Sequence, residues 1–255
     1  MRILITNDDS ISSSVLLPLA EWAKKLGEVT IVVPKQEQSG KSHGIEIHKS
    51  FEVLKTNLSP TIEAYTVDST PADCVRFALA GLGQDYDLVI SGINRGLNIG
   101  QDIIYSGTVS AVMESAYHGI CSAAISTEPE TFDYALESLD TIYNFFIQHK
   151  LFDKNNIYNV NIPLQPKGIR ITRQGGPYFG DEFLPQENNL YLPIGKSIFT
   201  ERGETELDTE TVLIHKHISI TPLTTNRTNM EVFHSLSHLN KEERGYFFGE
   251  SLSRN

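Results

Sequence analysis

Apolar residues follow two alternating rhythms over the first two-thirds of the chain: short continuous runs, and runs spaced by three or four residues. Arg2–Thr6 (RILIT) is a continuous run of strand length, the pattern of a buried strand. Leu16, Leu19, Ala23 and Leu26 then recur at helical spacing, with Pro18 in the first turn and Gly27 as a stop. Glu28–Val33 is a β-branched strand that ends at Pro34, and Gly44–Lys55 and Thr61–Val67 alternate apolar with polar residues and read as strands. TPADCVRFALAGLG predicts a helix with Thr70 as N-cap, Pro71 at its first position and Asp73 at its third. Leu88–Ser91 is a further buried strand, leading into the loop SGINRGLNIG. Val109, Val112, Met113 and Ala116 mark a helix that starts after Ser106 and stops at Gly119. A strand at Ser122–Ser126 and a long helix within Thr131–Lys150 follow.

Strands that alternate with helices imply parallel βαβ units. The expected fold is α/β, a three-layer α/β/α, doubly wound and largely parallel sheet of Rossmann-like type. From about Ile157 the rhythm changes: IYNVNIPL, GIRITRQG and HKHISITPL are strand-like without helices between them. Gly175–Thr211 is rich in Gly, Pro, Glu and Asn and reads as an extended hairpin or arm. The tail 228–255 has a weak helical pattern (Met230, Phe233, Leu236) and a short capped segment from Asn240 to Gly245. One domain over 1–255 is expected, with an α/β core at about 1–174. In such a sheet the ligand site lies beyond the carboxyl ends of the strands. NDD, PKQEQSG and SGINRG each occupy that position and should meet on one rim.

Composition narrows the partners. The chain carries 21 Lys and Arg against 32 Asp and Glu, a formal charge of −11, which argues against general affinity for nucleic acid or an anionic membrane. No apolar run approaches the ~18 residues of a bilayer span. The apolar stretch in MRILITNDD falls short of the roughly 7–15 residues of a secretory h-region. Cys74 and Cys121 sit among apolar neighbours, where a thiol acts as a small hydrophobe, and they offer neither a metal spacing nor a disulfide framework. The expectation is a soluble, reduced, cytoplasmic protein.

Asp8 and Asp9 close the first strand. Successive strand residues point to opposite faces, so both reach one ligand only if the chain leaves strand geometry, as the Asn7–Ser10 turn permits. Carboxylates this close repel, and a hard divalent cation between them relieves it. The alternative is a cap at Asp8 and a solvated turn residue at Asp9. Gly92, Gly96 and Gly100 with Asn94 and Asn98 allow close backbone approach and offer amide oxygens, but lack dinucleotide-loop or P-loop spacing. Ser106, Gly107 and Thr108 open a helix, which is either an anion site or a plain N-cap. Ser39, Gly40, Lys41 and Ser42 could likewise cradle phosphate or form an ordinary turn. His215 and His217, spaced two apart on an expected strand, have no evident third metal ligand, and His234 and His238 lack the glutamate of HExxH. GxSxG is absent.

Taken together, RILITNDD, VVPKQEQSGKS, STPADCVRFAL, LVISGINRGLNIGQDIIYSGTVSAVMES, NVNIP and GIRITRQG resemble the SurE family of survival-protein nucleotidases, in the family's order. ISITPL extends the likeness to about Leu223. The resemblance implies an α/β/α core with an arm and C-terminal element that build a homodimer or homotetramer. It implies metal-dependent hydrolysis of nucleoside 5′- and 3′-monophosphates. One divalent cation, Mg²⁺ or Mn²⁺, would be held by Asp8, Asp9, Ser39 and Asn94, and phosphate by Ser106, Gly107 and Thr108. Asp8, Asp9 and Asn94 would also be the catalytic set. The chain departs from the family at Ser10, where Gly is usual, at SISSSVLLP, and at Asn226 in place of Asp. Two rivals are a haloacid-dehalogenase-like phosphatase, which needs a second Asp where Ser10 stands, and a nucleotide-binding or scaffold protein with decayed catalysis.

Overall fold

The computed structural model describes residues 1–241. The chain divides into two units, Met1–Leu223 and Thr224–Asn255. In the first, nine strands form one sheet in the order β3-β4-β2-β1-β5-β6-β7-β11-β8. They are β1 (Arg2–Thr6), β2 (Glu28–Pro34), β3 (Val53–Ser59), β4 (Ile62–Val67), β5 (Leu88–Arg95), β6 (Cys121–Thr127), β7 (Ile157–Ile162), β8 (Ile169–Ile171) and β11 (Ile218–Pro222). Every pairing in this sheet is parallel except β3 with β4 and β7 with β11. β9 (Phe179–Pro185) and β10 (Tyr191–Ser197) form a separate antiparallel hairpin, the core of the expected arm.

The alternation of β1 explains the three layers. Ile3 and Ile5 join a core with α1 (Leu16–Ala23) and α4 (Asp133–Gln148). Leu4, between them, packs on the opposite face with Cys74 and Val75 of α2 (Pro71–Arg76) and Ala111 of α3 (Gly107–Tyr117). Thr70 caps α2 as expected, accepting from the Asp73 N–H, and Gly119 ends α3 at a φ of +76°. Cys74 is buried, Cys121 half-buried, and both are free thiols.

The chain leaves β1 toward β2 and β4 on one side, then crosses back to β5 on the other. The strand order therefore reverses between β1 and β5, and a crevice opens beyond their carboxyl ends. No helix among the described residues is long and apolar enough to cross a membrane.

Several sequence expectations are corrected. Gly44–Lys55 is a strand only from Val53 onward, because the preceding backbone bonds to side chains instead of a neighbouring strand. Thr70 Oγ1 donates to the Gly44 carbonyl, Asp73 accepts the Glu46 N–H, and Glu46 accepts those of His48 and Lys49. The strand after Asp87 runs four residues past Ser91, to Arg95, through a bulge between Gly92 and Asn94. Asp208–Leu213, whose first four residues fall within the span read as arm, is a helix (α5) with Asp208, Thr209, Glu210 and Thr211 buried. Polarity disguised it. His215 and His217 lie in the turn before β11 rather than on a strand, and His217 Nδ1 bonds to the His215 carbonyl. In the second unit, α6 (Met230–Leu236) matches the weak helical pattern, and the segment expected from Asn240 to Gly245 extends beyond the described residues.

Asp208 is fully buried and accepts the N–H groups of Gly100 (3.0 Å), Gly175 (2.8 Å) and Thr209 (2.7 Å). It fastens the segment after β5 to the root of the arm. Each buried donor left without a partner costs about 1–3 kcal/mol. Asp208→Ala should therefore lower the unfolding free energy by roughly 3 kcal/mol or more. Urea titration checks this, and a loss below about 1 kcal/mol would show that water replaces the carboxylate.

Candidate active site

The crevice between β1 and β5 opens into a cavity of about 400 Å³. Asp8, Ser39, Asn94 and Ser106 all line it, so four of the seven expected site residues meet there. They arrive on different elements. Asp8 follows β1, Ser39 follows β2, Asn94 lies near the end of β5, and Ser106 caps α3.

Asp8 is 4% exposed and is held from the start of α3. Its Oδ1 accepts from Thr108 Oγ1 at 2.5 Å and its Oδ2 from the Thr108 N–H at 3.3 Å. Gly107 is required at this contact. A Cβ there would lie 2.9 Å from Asp8 Cβ and 3.1 Å from its Oδ2. Ser106 Oγ accepts the Val109 N–H at 3.1 Å, so Ser106 is a helix cap as well as a cavity residue. Thr108, expected to hold phosphate, is wholly buried with its N–H and hydroxyl committed to Asp8.

Asp9 turns to an adjoining recess lined by Ser12, Ser13, Ser14, Arg95 and Phe132, and its Oδ2 accepts the Arg95 N–H at 3.2 Å. Arg95 lines both spaces, with its guanidinium 5.2 Å from the centre of the Phe132 ring. The turn after β1 depends on Asn7, whose Nδ2 donates to the Ser10 carbonyl at 2.9 Å. Ser10 there has a φ of +71°, a conformation open to glycine without strain.

Burial raises the Asp8 carboxyl pKa despite the Thr108 bonds. Burial and the neighbouring Asp8 charge push Asp9 up to about 6. Among the described residues neither forms an ion pair, and Glu37 adds a further negative charge to both.

This donor chemistry fits a hard cation. Asn94 Nδ2 donates to the Gly96 carbonyl at 2.7 Å, which turns its oxygen away from that bond. Ser39 Oγ donates to Glu37 at 2.7 Å and keeps its lone pairs. Among the described residues no three His, Cys, Asp or Glu side chains converge as a metal cluster. A cation here would thus need hydroxyl and amide oxygens beside the carboxylates, as Mg²⁺ and Mn²⁺ accept.

Sequence reasoning missed what holds the loop after β5. Asn161 Oδ1 accepts the Asn98 N–H at 2.8 Å, Asn159 and Asn161 both donate to the Asn98 carbonyl, and Asn98 Nδ2 donates to Ser126. Asn159 and Asn161 are fully buried on β7. Their signal was in plain view: two asparagines amid the apolar run IYNVNIPL, each needing a polar partner.

The profile of the family described as Survival protein SurE matches residues 3–181. The chain is similar to a 5′-nucleotidase SurE of Thermoanaerobacter sp. (strain X514), 38% identical over 93% of this chain and 97% of the relative. A 5′-nucleotidase SurE of Clostridium botulinum (strain Kyoto / Type A2) is 37% identical over 94% of this chain and 99% of that protein. Among solved structures, the crystal structure of the SurE protein from Aquifex aeolicus aligns with a TM-score of 0.73 and 30% identity, covering 94% of this chain and 100% of that one. With identity at this level over nearly its full length, the chain belongs to the SurE family.

Proposed function

We propose that the chain is a divalent-cation-dependent phosphatase that hydrolyses nucleoside 5′- and 3′-monophosphates to nucleoside and phosphate. One observation carries the reading: a buried Asp8 and a half-buried Asp9, neither in an ion pair among the described residues, line adjoining spaces beside the start of an 11-residue helix. The names of the relatives, 5′-nucleotidases, support the substrate class.

Asp8, Asp9, Ser39 and Asn94 would hold one Mg²⁺ or Mn²⁺. A bound cation supplies Lewis acidity toward a phosphoryl oxygen. Ser106, the Gly107 N–H and the positive end of the α3 dipole would orient the phosphate. Arg95, at the junction of the two spaces, adds the only positive side chain lining the cavity among the described residues. These groups stabilise charge as it spreads over the phosphoryl oxygens, which is the main demand of phosphoryl transfer.

The geometry around Asp8 argues against a covalent route. Both of its oxygens are already engaged by Thr108, and Ser10 stands where a dehalogenase-type enzyme keeps its general acid. The reading is therefore direct, in-line attack of water on phosphorus, with the nucleoside oxygen leaving.

EDTA should abolish phosphate release from a panel of nucleotides, and Mg²⁺ or Mn²⁺ should restore it. Asp8→Asn and Asp9→Asn should each lose activity by about a hundredfold or more, since the cation's contribution is worth several kcal/mol. Both variants should stay folded, because neutralising one acid relieves repulsion in the metal-free protein. Full activity of either variant in EDTA would sink the cation assignment, and nucleotide binding without any turnover would favour decayed catalysis.

Hydrolysis of a thiophosphate ester made chiral with oxygen isotopes should invert configuration at phosphorus. Retention would reveal two displacements and direct attention to the carboxylates as nucleophiles.

The arm supports self-association as a dimer or tetramer. Phe183, Leu190, Tyr191 and Leu192 are all more than half exposed on one hairpin, an arrangement suited to burial against a second subunit. Light scattering at micromolar concentrations should give an oligomer, and a monomer throughout would refute the idea.

A further inference from the structure

Two aromatic residues, Tyr105 (57% exposed) and Phe179 (49% exposed), line the same cavity as Asp8, Asn94 and Ser106. Tyr105 ends the 3₁₀ turn Gly100–Tyr105 immediately before the helix cap, while Phe179 is the first residue of β9. More than seventy residues separate them in the chain, so a dedicated contact has to bring them onto one space.

Asp102 provides that contact. Its Oδ2 accepts the Tyr178 N–H at 2.8 Å and the Phe179 N–H at 2.7 Å. Four further bonds stitch the same turn to the root of the arm. Gln101 N–H donates to the Gly176 carbonyl, Gln174 Nε2 donates to the Gly100 carbonyl, and Asp208 bridges the N–H groups of Gly100 and Gly175. Gly100, at a φ of +61°, is needed for the approach, because a Cβ there would lie 2.0 Å from the Gly176 oxygen. The position of Phe179 is thus fixed by the 3₁₀ turn through Asp102, although its side chain is exposed.

Resting on the nucleotidase reading above, we infer that Phe179 and Tyr105 form the surface on which the substrate's nucleobase stacks, and that Asp102 is the positioning residue that sets Phe179 there. The chemistry favours a flat aromatic ligand. Both side chains are about half exposed and line the same polar cavity as Asp8, Asn94 and Ser106, with the Phe179 ring steadied by an edge-to-face contact with Tyr178 at 4.5 Å between centroids. A cavity of about 400 Å³ lies within the size range of small-ligand sites. Stacking needs no hydrogen-bond code and tolerates every base, so this wall selects nucleotides over other phosphomonoesters more than one base over another. Asp102, spent on two backbone N–H groups, acts through Phe179.

The test compares adenosine 5′-monophosphate with ribose 5-phosphate, which keeps the sugar and the phosphate but lacks the base. In the metal-loaded full chain, kcat/KM should favour the nucleotide. Phe179→Ala should lower that ratio roughly tenfold, the effect of losing one stacked base, and the change should appear in KM for the nucleotide rather than in kcat. Phe179→Tyr should retain the ratio. Asp102→Ala should lower it in the same direction, because the ring remains but its placement is released. Calorimetric affinity for adenosine 5′-monophosphate should fall in parallel in Phe179→Ala and Asp102→Ala. An unchanged ratio in Phe179→Ala overturns the inference, as does an equal loss on both substrates. An unchanged ratio in Asp102→Ala alone overturns the positioning role. Nucleotide affinity that depends on Phe179 without any turnover would refute hydrolysis while upholding the stacking wall.

Discussion

Asp8 is drawn out of water beside a half-buried Asp9, neither forms an ion pair among the described residues, and the surrounding structure answers to that unfavourable charge. Burial raises both carboxyl pKa values, the Asp8 charge raises that of Asp9 further, and the bonds from Thr108 offset only part of the rise at Asp8. A cation would relieve such a pair, and the hydroxyl and amide oxygens of Ser39 and Asn94 line the same cavity as Asp8. The Thr108–Asp8 bonds also join the first strand to the start of α3. The carboxylate and the helix terminus that would face a phosphate are therefore set by a single contact.

The sheet topology places this pair at a useful point. Strand order reverses between β1 and β5, so the loops after those strands diverge and leave room for a ligand instead of packing against each other. The bulge between Gly92 and Asn94 then re-aims the last residues of β5 toward that opening. Gly92, at a φ of +132°, allows it, since a Cβ there would lie 2.2 Å from the Ile125 oxygen. Behind the loop, Asn159 and Asn161 tie Asn98 to β7, so the polar segment rests on buried amides in place of apolar packing.

A second system of buried polar contacts governs the arm. Asp208 and Asp102 each use backbone N–H groups as partners, one in the interior and one near the cavity mouth. Backbone donors define direction closely, which suits them to fixing where the hairpin leaves the core. The same bonds couple the hairpin's root to the rim of the cavity. Association through the arm and the form of the ligand site would thus share structural elements.

The chain's own pattern determined the layered fold and most of the rim. Period-two and helical spacing are local consequences of strand and helix geometry, so β1, β2, β6, α3 and α4 could be read from neighbouring residues. NDD, PKQEQSG and SGINRG were legible as rim loops because strand ends in a parallel sheet share one edge. Features that depend on contacts distant in sequence were decided only by the tertiary structure. Residues 44–52 failed to become a strand because side chains of Thr70, Asp73 and Glu46 took up their backbone groups. α5 was hidden because its first four residues are polar yet buried. Thr108 turned to Asp8 rather than to open space because a carboxylate a hundred residues away in sequence needed its donors. Asp9 faced the recess beside the cavity because the turn at Ser10 sent adjacent side chains apart. Hydrophobic rhythm is written in neighbouring residues, whereas the partner of a buried polar atom is chosen in space.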